Sequence, residues 1–124
     1  MKRTIVIKKN YEFKKMFSNG KFFYGEYVHF YIVKNKIDYN KFGIAVSKKQ
    51  GKAVSRNHIK RLIRENYKNI EERLLLGYSF LIVINKKKDI KKITFQNIKE
   101  DFENILKKAG VINEKNINPN IEIL

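Results

Sequence analysis

Two histidines, His29 and His58, and three aspartates, Asp38, Asp89 and Asp101, are the side chains best suited to proton transfer or metal binding. Hydrolysis by a protein-bound metal needs clustered carboxylates, and these three aspartates lie far apart in the chain. A histidine pair is the other route to hydrolysis. Here one histidine sits in a strand-like run and the other in a basic helical run, so each reads as an ordinary surface residue. With no cysteine, thiolate metal sites and disulfides are excluded. No catalytic residue and no metal ligand is assigned.

The residues whose pattern does carry chemistry are cations. They lie in Ser47-Lys48-Lys49-Gln50-Gly51-Lys52-Ala53-Val54-Ser55-Arg56-Asn57-His58-Ile59-Lys60-Arg61-Leu62-Ile63-Arg64. At about 100° per residue, a helix over this stretch gathers Ile59, Leu62, Ile63, Ile70 and Leu74 on one stripe. Arg56, Asn57, Lys60, Arg61, Arg64 and Lys68 gather on the opposite side. A solvated charged face is the ordinary explanation of such a pattern, and two features argue against it. The chain has five arginines against 23 lysines, and three of the five fall between positions 56 and 64. Arginine is the cation that makes planar, bidentate contacts to phosphate. Acids at i+4 normally support a solvated helix, yet none precedes Glu65 here. Ahead of the helix, Lys48, Lys49 and Lys52 surround Gly51 where free backbone N–H groups favour an anion.

The whole chain is biased the same way. Its 28 Lys and Arg against 12 Asp and Glu give +16 over 124 residues. Self-repulsion of that size is relieved by a polyanion, and nucleic acid fits because phosphate neutralisation releases counterions. An anionic membrane surface is the rival partner. No run of about 18 apolar residues is present to span a bilayer. The start, Met1 to Lys9, is too short in apolar residues for a secretory signal. A cytoplasmic location is expected.

The elements that must position these cations can be read from periodicity. Asn10 is a candidate N-cap for a short helix with Glu12 in its first turn, Phe13, Met16 and Phe17 on one stripe, and Gly20 to end it. Lys21 to Tyr24 reads as a short strand. Tyr27 to Val33 reads as a strand with Val28, Phe30 and Ile32 on one face and Tyr27, His29, Tyr31 and Val33 on the other. Phe42 to Ser47 is a further strand. Ser55 is the expected N-cap of a long helix running to about Leu75, with Gly77 beyond it. Tyr78 to Ile84 is a central strand and Lys86 to Lys88 a loop. A final helix starts near Thr94 and stops at Gly110, and residues 111 to 124 read as a loosely held tail. One domain over residues 1–124, with its ordered core at about 5–110, follows from the length. The fold class is α/β, a two-layer sandwich of helices on a sheet.

From Ser47 to Arg64 the chain resembles the signature of the bacterial ribonuclease P protein family. That signature is an Arg-Asn-Arg motif followed by Lys-Arg and a further Arg. Arg56-Asn57, Lys60-Arg61 and Arg64 match it, as does the upstream Lys-Lys-x-Gly-x-Ala-Val piece at Lys48 to Val54. His58 stands where the family has its second arginine, so that contact is not carried over. The similarity extends to the helix at Asn10 to Phe17 and covers roughly residues 5 to 108.

The resemblance implies an α-β-β-β-α-β-α order with a left-handed β-α-β crossover. It also implies that the catalyst is an RNA subunit, with Mg²⁺ bound mainly by that RNA and no organic cofactor. Lys48, Lys49, Lys52, Arg56, Asn57, Lys60, Arg61, Arg64 and Lys68 would then meet the catalytic RNA. Phe13, Phe17 and Tyr31 would line a cleft for the single-stranded 5′ leader of precursor tRNA, where rings stack on bases whatever their identity. Core packing is the competing role for Phe13 and Phe17. Neither a membrane nor DNA is an expected partner. The competing functions are a ribosomal or assembly protein, a DNA-binding protein and a protein-only nuclease. The fixed order of the Lys48 to Arg64 motif speaks against the first. A strand just ahead of the basic helix, instead of a helix-turn-helix, speaks against the second.

Overall fold

The computed structural model describes residues 3–113. Eight elements follow in the order β1 (Thr4–Val6), α1 (Asn10–Asn19), β2 (Lys21–Phe23), β3 (Val28–Lys34), β4 (Asn40–Ala45), α2 (Ala53–Ile70), β5 (Tyr78–Ile84) and α3 (Phe95–Ala109). The five strands form one mixed sheet in the order β1-β4-β5-β3-β2. β4 and β5 run parallel, joined through α2, and β3 lies antiparallel to β5. This is the α/β fold expected, with one strand added: β1 pairs in parallel with β4, Thr4 opposite Asn40 and Val6 opposite Phe42. Three residues flanked by basic side chains carry no period of their own, so only the pairing with β4 makes them a strand.

The most apolar run became the middle strand. Phe80, Ile82 and Ile84 of β5 pack beneath α2 and α3 together with Val28, Phe30, Ile32 and Phe42. From α2 this core receives Ile59, Ile63, Tyr67 and Ile70, and from α3 Ile98, Phe102, Ile105 and Leu106. Leu81 and Val83 point to the other face and meet Ile7, Phe13 and Met16. Thus α2 and α3 form the expected helical layer, while α1 lies alone on the opposite face and covers only part of it. Gly43 permits this approach, since a Cβ there would stand 3.1 Å from both Ile7 Cβ and the Phe13 ring. Among the described residues, no helix is long and apolar enough to cross a membrane.

Several expected boundaries need correction. α1 is capped by the extended backbone of Lys9, and Asn10 is already helical. α2 begins at Ala53 behind an extended Lys52, so Ser55 lies inside the first turn and caps nothing. The serine that does cap is Ser47, which closes a capping box with Gln50 around a 3-10 turn, Lys48–Gln50. The α-helix also stops at Ile70 and tightens into a 3-10 turn, Glu71–Arg73, before Leu74. The helix ends at Gly20 and Gly110 and the start near Thr94 agree with expectation, Thr94 closing a capping box with Asn97.

The tail expectation is wrong at its start. Val111 and Ile112 are buried, the Leu75 N–H donates to the Val111 carbonyl at 2.8 Å, and Asn113 N–H donates to Arg73 at 2.7 Å. The apolar pair closes the end of the core below α2. The remainder of the expected tail, residues 114–124, lies outside the described residues.

Candidate nucleic-acid interface

Because α1 covers only part of its sheet face, the rest of that face is an open groove of about 870 Å³. Its floor is built by β-strand alternation. β3 directs His29 and Tyr31 into the groove, and β2 places Phe22 directly opposite Tyr31. α1 contributes Phe13 and Phe17 along one wall. Gly20 brings the end of α1 down onto β3, where a Cβ would meet Met16 O at 2.6 Å and Tyr31 Cβ at 3.0 Å.

The rings form a continuous ladder. Phe17 meets Tyr31 edge to face with centroids 5.0 Å apart, and Tyr31 meets Phe22 at 5.1 Å. Phe22 then contacts His29 at 5.1 Å, and His29 contacts Tyr24 at 4.8 Å. Phe17 and Phe22 are each 46% exposed and Tyr24 is 67% exposed. A small domain normally buries such rings, so a row left open to solvent marks a surface for planar ligands.

The structure therefore brings Phe13, Phe17 and Tyr31 into one groove, with unequal parts. Phe13 and Tyr31 are partly buried and also pack against the small core under α1, whereas Phe17 is exposed. Sequence reasoning passed over Phe22 and Tyr24 as groove residues. Their i, i+2 spacing was the available signal, but a three-residue strand shows its faces only once paired. Strand alternation places His29 on the Tyr31 face and gives it no role. The Gly25 N–H donates to its Nδ1 at 3.0 Å. Burial lowers the His29 pKa below 6.5, against an opposing pull from the Asp101 charge. Asp101 itself, on α3, accepts the N–H groups of Glu26, Tyr27 and Val28 at 3.2, 2.7 and 3.0 Å. That carboxylate pins the turn from which Tyr24 and Gly25 reach the groove.

At its other end the groove becomes basic. Lys60 from α2 and Lys86 and Lys87 from the loop after β5 line it together with Ser47 and Gln50. Lys60 is the one member of the cationic set that enters the groove. The rest of that set lies on the adjoining surface: Lys48 and Lys49 on the capped turn, Lys52 just before α2, and Arg56, Asn57, Arg61, Arg64 and Lys68 along the helix. Arg61 makes a long i,i+4 contact to Glu65 at 3.8 Å, a geometry that contributes little when exposed. The other cations of the set have no carboxylate partner among the described residues. Arg73, the arginine at the far end, is by contrast held by Glu103 at 2.8 Å. An unneutralised cationic surface thus runs into a stacking groove, the combination that binds single-stranded nucleic acid and its phosphates.

The family model described as Ribonuclease P matches residues 1–110. The chain is 42% identical over 110 residues to a protein of Clostridioides difficile named "Ribonuclease P protein component", covering 88% of this chain and 95% of that one. Among solved structures, the RNase P protein of Staphylococcus aureus superposes with a TM-score of 0.76 at 37% identity, covering 87% and 97% of the two chains. That of Thermotoga maritima gives 0.74 at 29% identity, covering 84% and 96%.

Proposed function

This chain belongs to the ribonuclease P protein family, and from that membership and the groove we propose that it is the protein component of a ribonuclease P holoenzyme. In this reading the capped lysine turn and the outer face of α2 bind the catalytic RNA. The aromatic groove holds the single-stranded 5′ leader of precursor tRNA, and the pair assists Mg²⁺-dependent removal of that leader. The observation that carries the reading is the junction at Lys60, where a cationic helix face with a single long ion pair, Arg61–Glu65, meets an exposed ladder of rings.

The cleavage chemistry belongs to the RNA in this proposal. Lysines and an amide-rich rim line the groove, and among the described residues no carboxylate does, so its residues do not suit a Mg²⁺ ion. What the protein supplies is binding: phosphate contacts hold RNA, and ring stacking tolerates leaders of many sequences. The reading places it in the cytoplasm with precursor tRNA.

The test is cleavage of a 5′-extended precursor tRNA at moderate Mg²⁺ with a bacterial ribonuclease P RNA, with and without this protein. Strong stimulation by a protein that is inert alone is the expected result. Binding without stimulation would turn the assignment toward an RNA assembly protein. Cleavage by the protein alone would overturn the mechanism.

A further inference from the structure

Among the rings of the groove, His29 is a group that stacking does not account for. A backbone N–H can bond to His29 Nδ1 only when that nitrogen carries no proton, so the Gly25 contact puts the imidazole proton on Nε2. Nε2 has no partner among the described residues, and the ring lies in the groove between Phe22 and Tyr24. The other polar groups there are less selective. Tyr24 and Tyr31 have hydroxyls that rotate and both donate and accept, while Lys60, Lys86 and Lys87 carry flexible ammonium groups that suit phosphate. Gln50, at the basic end, is held through its Oε1 by the Ser47 N–H and leaves an amide nitrogen with two donors. His29, among the rings, presents a single N–H whose direction is held by a second hydrogen bond, with the turn behind it pinned by Asp101.

We infer that His29 is a specificity-determining residue of the groove, donating its Nε2–H to a ring nitrogen of a purine stacked beside Phe22 and Tyr24. A fixed donor repels amino groups and C–H edges and selects an acceptor. In a single strand pyrimidines also expose acceptors, O2 with cytosine N3 or uracil O4. The edge that separates the classes is the one where both purines offer N7 and a pyrimidine only C–H. A purine also offers the larger face to the flanking rings. Burial lowers the His29 pKa below 6.5 despite the opposing Asp101 charge, so the imidazole is neutral at pH 7. The donor is therefore constant over the working range. This inference rests on the groove holding the leader, as proposed above.

The experiment uses holoenzyme assembled from the full chain and a bacterial ribonuclease P RNA. Affinity is measured for mature tRNA and for precursors whose leader positions are changed one at a time from purine to pyrimidine, or to 7-deaza or 3-deaza purine. The wild-type protein should show one leader position with a purine preference of about fivefold, as one hydrogen bond allows, and one of the two deaza bases should abolish it. His29→Phe should erase that preference while the leader still raises affinity over mature tRNA. A uniform wild-type profile, costless deaza substitutions, or a preference that survives His29→Phe would overturn the inference and leave the groove reading intact. A leader that adds no affinity at all would remove both. The deaza series tests the ring-nitrogen contact in the wild-type chain, and His29→Gln, which keeps an uncharged donor and should retain part of the preference, tests the assignment to position 29 if His29→Phe folds poorly.

Discussion

Phe17 and Tyr31 meet edge to face at 5.0 Å although they come from different layers, one from the single helix on its sheet face and the other from β3. Neither ring is sealed, and Phe22 extends the contact on the far side of Tyr31. Removing one ring should therefore cost ligand stacking more than core packing. Phe17→Ala is expected to weaken precursor tRNA binding by about tenfold, the lower part of the range for a lost base–ring stack, and to leave mature tRNA binding unchanged. Parallel titrations of the two RNAs in the holoenzyme would check this. Equal losses for both would count against the groove.

The arginines divide by partner. Arg56 and Arg64 have none among the described residues, whereas Arg73 is clamped by Glu103. Alanine at position 56 or 64 is expected to lower affinity for the catalytic RNA and reduce its log–log salt slope by about 1. Arg73→Ala should leave that slope unchanged and lower the melting temperature instead. Binding measured across a salt series separates the two classes.

Tyr67 is stacked on Phe42 at 4.1 Å, and its hydroxyl lies 2.7 Å from Thr4 Oγ1. Thr4 in turn donates its one proton to Glu71, so the Tyr67 hydroxyl is the donor to Thr4. Burial raises the Tyr67 pKa far above its ordinary value of 10.0. The stability linked to this group is therefore complete below pH 10 and falls as pH rises above it, because the unfolded tyrosine ionises first. Tyr67→Phe is expected to cost about 1 kcal/mol near neutral pH and to flatten the alkaline decline, read by denaturant melts across that range.

His29 gives the opposite dependence. Its folded pKa lies below 6.5, so its contribution is complete above pH 6.5 and is lost as pH falls through the lower folded value. Protonation would also place a proton on Nδ1 against the Gly25 N–H. Thermal melts of the wild-type protein from pH 7.5 downward should show a decline below pH 6.5 that is reduced in His29→Phe. Identical slopes for the two proteins would show that this imidazole is not perturbed.

Local sequence determined those parts of the molecule whose signals are local. Helical period set the buried stripe of α2, with Ile59 and Ile63 inside and Arg61 and Arg64 outside. Alternation set Val28, Phe30 and Ile32 toward the core. The density of arginine between positions 56 and 64 marked the cationic surface before any contact was known. Tertiary structure decided what depends on pairing between distant segments. β1 exists because Thr4 to Val6 pair with a strand over thirty residues away. Val111 and Ile112 are buried because they reach back to Leu74 and Leu75. The groove itself arises because α1 occupies only part of one sheet face, leaving Phe22, Tyr24 and His29 beside Tyr31 and bringing Lys60 to its end. Periodicity reports which way a side chain points, and only packing decides what stands opposite it.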